Sequence, residues 1–311
     1  SSDLGRALGR AKWSASATLD ETNAVSADTA ATNAIYAASG VSSLVMGDRV
    51  TLVTDPGAGT WSQISGSSTA FSNSNLNGVA FGSGSFVGVG NTGALAISTD
   101  NGVSWVAKTS NVSGADIQAV AFGLGTFVCG GTSGKRSYSR DAGLTWTAGT
   151  TFGGGAAIGG ITFGNNLWVM VGASGKCETS TNGITWTAST PFGSSVMTDV
   201  AYGNGYFVAV GSAGELYTSP DAVTWTSRTS GFGSSAINAI AFGDGKFVIG
   251  GSSGLIGFAG DPTGTWSTPA SVGSTNLVRA ITYANRLWVA TYSTGVLYVS
   301  ADASTWASRT S

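Results

Sequence analysis

The sequence contains no histidine, and only 10% of its 311 residues are charged, for a net charge of −2. Histidine is the commonest general base and metal ligand, so its absence removes much of the acid–base and metal chemistry that enzymes use. The 14 lysines and arginines are spread thinly, which argues against the dense basic footprint of a nucleic-acid-binding protein. We therefore expect no nucleic-acid partner, no metal site and no cofactor.

Long apolar runs and cysteine are also scarce. No apolar run approaches the roughly 18–20 residues of a membrane-spanning helix, so no membrane span is expected. The two cysteines, Cys129 and Cys177, have no zinc or redox spacing and are expected to be free thiols. Hydrophobic residues make up 42% of the chain, which argues against disorder and is enough for a sizeable core.

Tryptophan, by contrast, recurs at intervals of 39 to 44 residues, which indicates a repeated supersecondary unit. The seven positions are Trp61, Trp105, Trp146, Trp186, Trp225, Trp266 and Trp306. The unit is clearest at 198–230, TDVAYGNGYFVAVGSAGELYTSPDAVTWTSRTS. It reads as four short strands, because alternating apolar residues are bounded by Gly, Asn and Asp at the turns.

A four-stranded meander cannot bury both of its faces alone, and copies stacked around an axis cover one another. The sequence therefore predicts an all-β fold, a seven-bladed β-propeller of four-stranded antiparallel blades, with an open solenoid as the alternative. Blades 1 to 7 are expected at about 33–66, 76–110, 117–150, 158–190, 198–230, 237–270 and 277–311.

Residues 1–32 precede the repeats and are expected to form an N-terminal extension. Within it, KWSAS at 12–16 is similar to the fourth strands of the repeats, so an extra outer strand is predicted at 12–18. That strand either clasps the last blade or belongs to a neighbouring domain or subunit, and the rest of the extension is a connector.

A short acidic turn precedes each repeated tryptophan. It reads STDNGVSW at 98–105 and SRDAGLTW at 139–146, is one residue shorter in three copies, and is built around Asp-Pro in two. These turns resemble the Asp-box, or bacterial neuraminidase repeat, of sialidases, sortilin-like receptors, xyloglucan hydrolases and photosystem assembly propellers. Those families share the turn across unrelated functions, so the resemblance implies a propeller with Asp-box turns and no particular activity.

The residues of the acidic turns are expected to be structural. An aspartate can accept backbone N–H groups across its own turn, and the tryptophan is buried between blades. One copy has asparagine, which a turn tolerates and a catalytic carboxylate does not. The predicted structural positions are Asp55, Asp100, Asp141, Asn182, Asp221, Asp261 and Asp302, with the seven tryptophans.

A glycosidase needs two cooperating carboxylates, and a sialidase needs a cluster of arginines. In Asp-box propellers the acidic turns lie opposite the active site, so the resemblance removes their aspartates from such a role. Asp48 and Asp244 are expected in first-to-second-strand turns on that same face, so the acids that remain in the repeats are Asp116, Glu178, Asp199 and Glu215. The Arg-Ile-Pro signature of a sialidase is missing. We expect that the protein is not an enzyme, and a degenerate glycoside hydrolase is the least favoured alternative.

The face opposite the acidic turns is the predicted binding face. Its connectors repeat a phenylalanine that is expected either to stack on a sugar ring or to fill the gap between blades. Polar residues at the start of the inner strands are expected at the channel mouth, where they bind carbohydrate hydroxyls or only hydrate the pore. The candidate ligand-binding residues are Asn77, Gln118, Phe152, Phe192, Thr198, Asp199, Phe232, Asn238 and Arg279.

The repeat pattern AFGxGxFVAVGxxGxxxxSxDxxTWT also resembles repeats in bacterial surface proteins and in tail-fibre or other virion proteins of bacteriophages. The resemblance implies a non-enzymatic recognition or structural module on a virion or cell surface. Its expected partners are a host glycan or a surface protein, and other virion or surface subunits held through the N-terminal extension. An architectural scaffold that binds another protein is the alternative.

Overall fold

The computed structural model describes residues 70–309 except 72, 73, 113, 274 and 285, together with four short strands between 34 and 63. The predicted extension 1–32, its extra strand at 12–18 and the turn residue Asp55 lie outside the described residues. Trp61 lies in a described strand, but its side chain is outside that description as well.

The chain forms seven four-stranded antiparallel sheets, each a simple meander. The N-terminal sheet contains β1 (Ala34–Ile35), β2 (Ser43–Met46), β3 (Val50–Thr54) and β4 (Thr60–Gln63). Blade 2 contains β5 (Leu76–Gly82), β6 (Ser85–Gly90), β7 (Leu95–Ser98) and β8 (Val106–Ala107). Blade 3 contains β9 (Ile117–Gly123), β10 (Thr126–Gly131), β11 (Arg136–Ser139) and β12 (Thr147–Ala148). Blade 4 contains β13 (Ile158–Gly164), β14 (Leu167–Gly172), β15 (Cys177–Ser180) and β16 (Thr187–Ser189).

The remaining three blades repeat this order. Blade 5 contains β17 (Met197–Gly203), β18 (Tyr206–Gly211), β19 (Leu216–Ser219) and β20 (Thr226–Arg228). Blade 6 contains β21 (Ile237–Gly243), β22 (Lys246–Gly251), β23 (Leu255–Ala259) and β24 (Ala270–Ser271). Blade 7 contains β25 (Val278–Ala284), β26 (Leu287–Tyr292), β27 (Leu297–Ser300) and β28 (Ala307–Arg309).

These sheets confirm the prediction of an all-β propeller with four-stranded antiparallel blades. Six complete blades, 2 to 7, are described, one fewer than the seven predicted. The residues of predicted blade 1 form the N-terminal sheet, of which only the strands and their pairing are described. The inner strands β5, β9, β13, β17, β21 and β25 each contact the next, so they surround a common axis.

The second strands of blades 2 to 7 are buried along all or nearly all of their length. In blades 2 and 3, β6 and β10 are buried along their whole length. Such a strand pairs with strands of its own sheet on both edges and packs against neighbouring blades on both faces. Its sequence is therefore a nearly continuous apolar run that includes small residues. The fourth strands of blades 2 to 7, by contrast, have only two or three residues, and these short edges offer little backbone for unwanted pairing.

One aromatic ring of each first strand connects two blades. In blade 3 the Phe122 ring packs on Phe127 of the next strand, with centroids 4.7 Å apart. The same ring lies against Gly82 of blade 2, where a Cβ atom would overlap it. The arrangement recurs between all described blades, with Gly123, Gly164, Gly203 and Gly243 facing Phe163, Tyr202, Phe242 and Tyr283. Glycine at this position is therefore a packing requirement rather than a turn signal.

The acidic turns are held by their own side chains. In blade 3, the Asp141 carboxylate accepts the backbone N–H of Thr145 at 2.9 Å and the hydroxyls of Thr145 and Ser139 at 2.5 and 2.7 Å. Asp100 has the same three kinds of donor in blade 2. In blade 4 the amide oxygen of Asn182 accepts the N–H groups of Ile184 and Thr185, both at 2.9 Å.

The tryptophan of each described turn forms a hydrogen bond back to a carbonyl of the same turn. The indole N–H of Trp146 donates to the carbonyl of Gly143 at 2.9 Å, and Trp306 donates to Ala303 at 3.0 Å. Trp105, Trp186, Trp225 and Trp266 make the equivalent bond to their own turns. Each turn and its tryptophan therefore form one local unit that fixes the start of the fourth strand.

We predict that Asp141→Ala lowers the free energy of unfolding by about 1 kcal/mol at neutral pH, as the loss of a side-chain cap does. The hydrogen bond from the Thr145 side chain, followed by that from its backbone and the one from Ser139, lowers the pKa of Asp141 to about 2. The contribution of the Asp141 carboxylate to the free energy of unfolding is then complete above about pH 4 and disappears as the pH falls through 2. Urea unfolding of both proteins between pH 2 and 7 checks this.

Asn182→Ala is the matched control for this experiment. It removes the equivalent hydrogen bonds from an uncharged turn, so its cost in stability is expected to be independent of pH. A loss for Asp141→Ala that stays constant down to pH 2 contradicts the account.

Candidate functional site

The propeller has two faces, which differ in the elements that form them. The turn face consists of the acidic turns and the turns between first and second strands. The amide of Asn204, in such a turn of blade 5, donates to Gly245 at 3.0 Å and to Gly260 at 2.8 Å in the two turns of blade 6. The opposite face, here called the loop rim, consists of the second-to-third-strand turns, the connectors between blades and the first residues of the inner strands.

The phenylalanines of the connectors are buried. Phe152, Phe192 and Phe232 are exposed by 0%, 7% and 4% respectively, and Phe71 at the comparable place by 2%. The Phe192 ring stacks on Trp225 of the following blade, with centroids 4.2 Å apart and an interplanar angle of 21°. These rings fill the gaps between neighbouring blades, which is the second of the two predicted roles. Because they are buried, they present no free face to a sugar.

The polar residues at the start of the inner strands connect neighbouring blades. The amide of Asn77 donates to the carbonyl of Ile117 at 2.9 Å, the hydroxyl of Thr198 to Ile237 at 2.6 Å, and Asn238 to Val278 at 3.4 Å. In each case a side chain of one blade binds the first carbonyl of the next inner strand. These donors are therefore already used within the ring.

Two further candidates occupy the same position in other blades. Gln118 is half-buried, and Arg279 is exposed. Blade 4 has Gly159 at this position. A Cβ atom on Gly159 would overlap the carbonyl oxygen of Met197, the first residue of the next inner strand, so a side chain does not fit there. Arg279 is thus the candidate at this position that presents a charge to solvent.

Asp199 differs from its equivalents, which are all glycine or alanine: Gly78, Ala119, Gly160, Ala239 and Ala280. It is 5% exposed, and its two carboxylate oxygens accept the N–H groups of Val200 at 2.8 Å and Ile240 at 3.0 Å. It thus bridges the inner strands of blades 5 and 6. Burial raises its pKa well above the usual range, against the effect of the two N–H bonds.

A buried ion pair joins blades 3 and 4 beneath the rim. Arg136 donates to Glu178 at 2.6 Å and to the hydroxyl of Thr150 at 2.5 Å, and its guanidinium lies 5.0 Å from the ring centre of Trp186. The other oxygen of Glu178 accepts the N–H of Gly153 in the connector at 2.8 Å. Both charges are therefore used to position the connector between the two blades.

The ion pair of Arg136 and Glu178 was not predicted from the sequence, although a comparison of the repeats indicates it. Arg136 stands where the other described blades have leucine, isoleucine or cysteine near the start of the third strand, and Glu178 stands where no other described blade has an acid. Two departures from the repeat, of opposite charge and in adjacent blades, indicate a contact between them.

The charged side chains divide unequally between the faces. Apart from the buried pair and Asp199, the described rim carries four cations, Lys108, Lys135, Lys176 and Arg279, and two acids, Asp116 and Glu215. The described turn face carries six acids, Asp100, Asp141, Asp221, Asp244, Asp261 and Asp302, and three cations, Arg140, Lys246 and Arg286. The rim is therefore the basic face of a chain whose net charge is slightly negative.

The rim also contains an open depression of about 560 Å³ in the connector between blades 6 and 7, lined by Ser271, Gly273, Thr275 and Asn276. In the described part of the chain, no three His, Cys, Asp or Glu side chains are grouped to hold a metal ion. Cys129 and Cys177 are free, as predicted, and burial raises the pKa of each thiol to about 12. They are therefore unreactive core residues.

No family model matches the chain, and no curated protein matches it in sequence. Among solved structures, catalytically inactive virginiamycin B lyase from Staphylococcus aureus with quinupristin is similar at 12% identity, with a TM-score of 0.73 over 88% of this chain and 96% of that one. YCF48 bound to D1 peptide is similar at 19% identity, with a TM-score of 0.59 over 76% and 81% of the two chains. The WD40 β-propeller domain of Doa1 has 12% identity and a TM-score of 0.63 over 88% and 89%. At these identities the likeness establishes the β-propeller fold alone.

We predict that Asp199 makes the protein less stable as the pH rises above about 4. Its pKa is raised in the folded state, so the folded protein holds this proton to a higher pH than the unfolded chain does. The free energy of unfolding then falls by up to about 1.4 kcal/mol per pH unit relative to Asp199→Asn, which does not titrate. Urea unfolding of the two proteins from pH 4 to 8 measures the difference.

Asp199→Ala, which introduces the residue found in three other blades, is a second reference that does not titrate at this position. The difference in unfolding free energy between the wild type and this variant should change with pH in the same way. If the wild type instead gains stability over both variants with rising pH, the assignment of a raised pKa is wrong.

Proposed function

We propose that the protein is a non-catalytic binding propeller whose loop rim holds an acidic segment of a partner protein. The observation that carries this proposal is the charge distribution, with four cations and two acids on the described rim and an excess of acids, six against three cations, on the turn face. Complementary charge steers a partner to one face and fixes its orientation. The exposed Lys135 and Arg279 extend this basic character from the middle of the rim to the inner strands.

The similar solved structures support a binding role for such a scaffold. YCF48, a propeller of similar fold, is described as bound to a peptide, and the WD40 domain of Doa1 is another propeller of this architecture. A segment laid over the rim meets backbone groups of several connectors at once, which suits an extended peptide. A virion or cell surface, the setting that the sequence resemblance implies, is compatible with this role.

A glycan is the alternative ligand, and the side-chain contacts favour it less. Asn77, Thr198 and Asn238 donate their hydrogen bonds to the next blade, and the connector phenylalanines are buried. Carbohydrate sites need free donors and an exposed aromatic face.

Non-catalytic function is supported by the state of the buried acids. Glu178 is paired with Arg136, and Asp199 is engaged by two backbone N–H groups. Neither offers a free carboxylate to a substrate, and the described aspartates of the acidic turns are tied to their own turns. A pair of cooperating carboxylates is therefore not assembled by the described residues.

We also propose that the N-terminal sheet is a seventh blade that closes the ring and that the acidic turns are Asp-box turns. In support, β1 contacts both β5 of blade 2 and β25 of blade 7. The hydrogen bonds of the turns agree with the role expected of that motif.

A fluorescent glutamate-rich peptide tests the proposed function by anisotropy titration with the full chain. We expect binding that weakens as salt is added, and about tenfold weaker binding to a Lys135→Glu/Arg279→Glu variant. Lys246→Glu makes the same change on the turn face and is the matched control, for which the affinity should be unchanged.

Equal binding of a lysine-rich peptide, or an affinity that does not respond to the rim variant, overturns the acidic-partner proposal. A glycan array run in parallel, with Asn238→Ala as the control, identifies the alternative. Binding of a neutral glycan that is lost in Asn238→Ala and kept in the rim variant supports a carbohydrate ligand instead.

A further inference from the structure

A row of aliphatic side chains on the turn face is exposed without a packing role in the fold. Val103, Leu144 and Val223 are exposed by 57%, 51% and 59%, and Ile184 is half-buried. Each stands two residues before the tryptophan of its acidic turn, in four successive blades, 2 to 5. Blades 6 and 7 have Gly264 and Ser304 at this position, so the row covers one side of the face.

Leu124 adds to this row from the neighbouring turn of blade 3. It is 57% exposed and adopts a left-handed backbone conformation, with φ of 48°. The equivalent residues with the same conformation are Ser83, Asn165, Asn204 and Asp244, all polar. A leucine in this conformation is strained, and its largely exposed side chain gains little from burial in the fold.

These five residues, Val103, Leu124, Leu144, Ile184 and Val223, are called the aliphatic arc below. Single exposed aliphatic residues are common on protein surfaces, whereas their recurrence at one position of four successive blades points to a common role as an interaction surface.

The charges beside the aliphatic arc determine what kind of partner fits it. The acidic turns of blades 2, 3 and 5 place Asp100, Asp141 and Asp221 next to Val103, Leu144 and Val223. Hydrogen bonds within the turns fix these carboxylates. Arg140 is the one cation in the described acidic turns of blades 2 to 5. A partner surface that covers the arc must therefore bring aliphatic groups and positive charges together.

We propose that the aliphatic arc is a second binding surface, for a segment of a partner protein that carries lysine or arginine beside aliphatic side chains. An amphipathic helix with one aliphatic and one basic face has this chemistry. The surface lies on the face opposite the loop rim, so a partner there leaves the rim free.

Two synthetic helical peptides test the proposal against the full chain by fluorescence anisotropy. Both have leucines on one face, and the other face carries lysines in the first peptide and glutamates in the second. We expect the leucine–lysine peptide to bind more tightly than the leucine–glutamate peptide. Leu124→Ser with Leu144→Ser should weaken its binding about tenfold, because two half-buried anchors are lost.

Val106→Ser is the matched control, since Val106 is also 57% exposed but lies on the outer strand β8. It should leave the affinity unchanged. Leu124→Ser introduces the residue that blade 2 has at this position, Ser83 with φ of 47°, so the variant is expected to fold, and its thermal melting verifies this.

Three outcomes overturn the proposal. They are no binding of the leucine–lysine peptide, equal binding of both peptides, and binding that the double serine variant does not weaken. Sedimentation velocity gives a fourth. If the full chain associates with itself and the double serine variant does not, the occupant of the arc is a second copy of this chain, and a separate basic partner is excluded.

Discussion

The contact between an aromatic ring and the backbone of the preceding blade is the constraint on which the rest of this propeller depends. The ring near the end of each first strand lies over a glycine of its neighbour, for example Tyr202 over Gly164. No side chain fits between them, so the spacing and tilt of successive blades are fixed by direct ring-to-backbone contact. The second strands are buried because this contact places a neighbour on each of their faces.

The residues that recur in each blade maintain the ring, and the residues that depart from the repeat make the contacts and surfaces particular to this protein. Asp199, Arg136 and Leu124 stand where other blades have small, apolar and polar residues respectively. The first two join blades beneath the loop rim, and the third lies exposed on the opposite face. Because the fold places all second-to-third-strand turns on one side, thinly spread lysines and arginines come together there as a basic rim. The partner proposed for each face rests on this polarity rather than on a pocket.

The fold was predictable from the sequence because its signals are local and repeated. The tryptophan period and the glycine and asparagine turns indicate four-stranded blades without any long-range information. The candidate site was less predictable. Asn77 and Phe192 have the composition of ligand-binding residues, but whether a donor or a ring is free depends on how closely the next blade approaches. The basic rim likewise emerges only when the direction of each strand is known, since Lys108 and Arg279 are far apart in the chain.

Substitution of one interblade glycine tests the central claim most directly. Gly203→Ala places a methyl group in the ring of Phe242, whereas a methyl group on Gly260 would meet its nearest neighbour, the carbonyl of Gly245, at 3.7 Å. The account predicts that Gly203→Ala lowers the free energy of unfolding by about 1–3 kcal/mol, as overpacking does, and that Phe242→Leu restores part of the loss. Gly260→Ala should be nearly neutral. Equal effects of the two alanine substitutions in urea unfolding would contradict it.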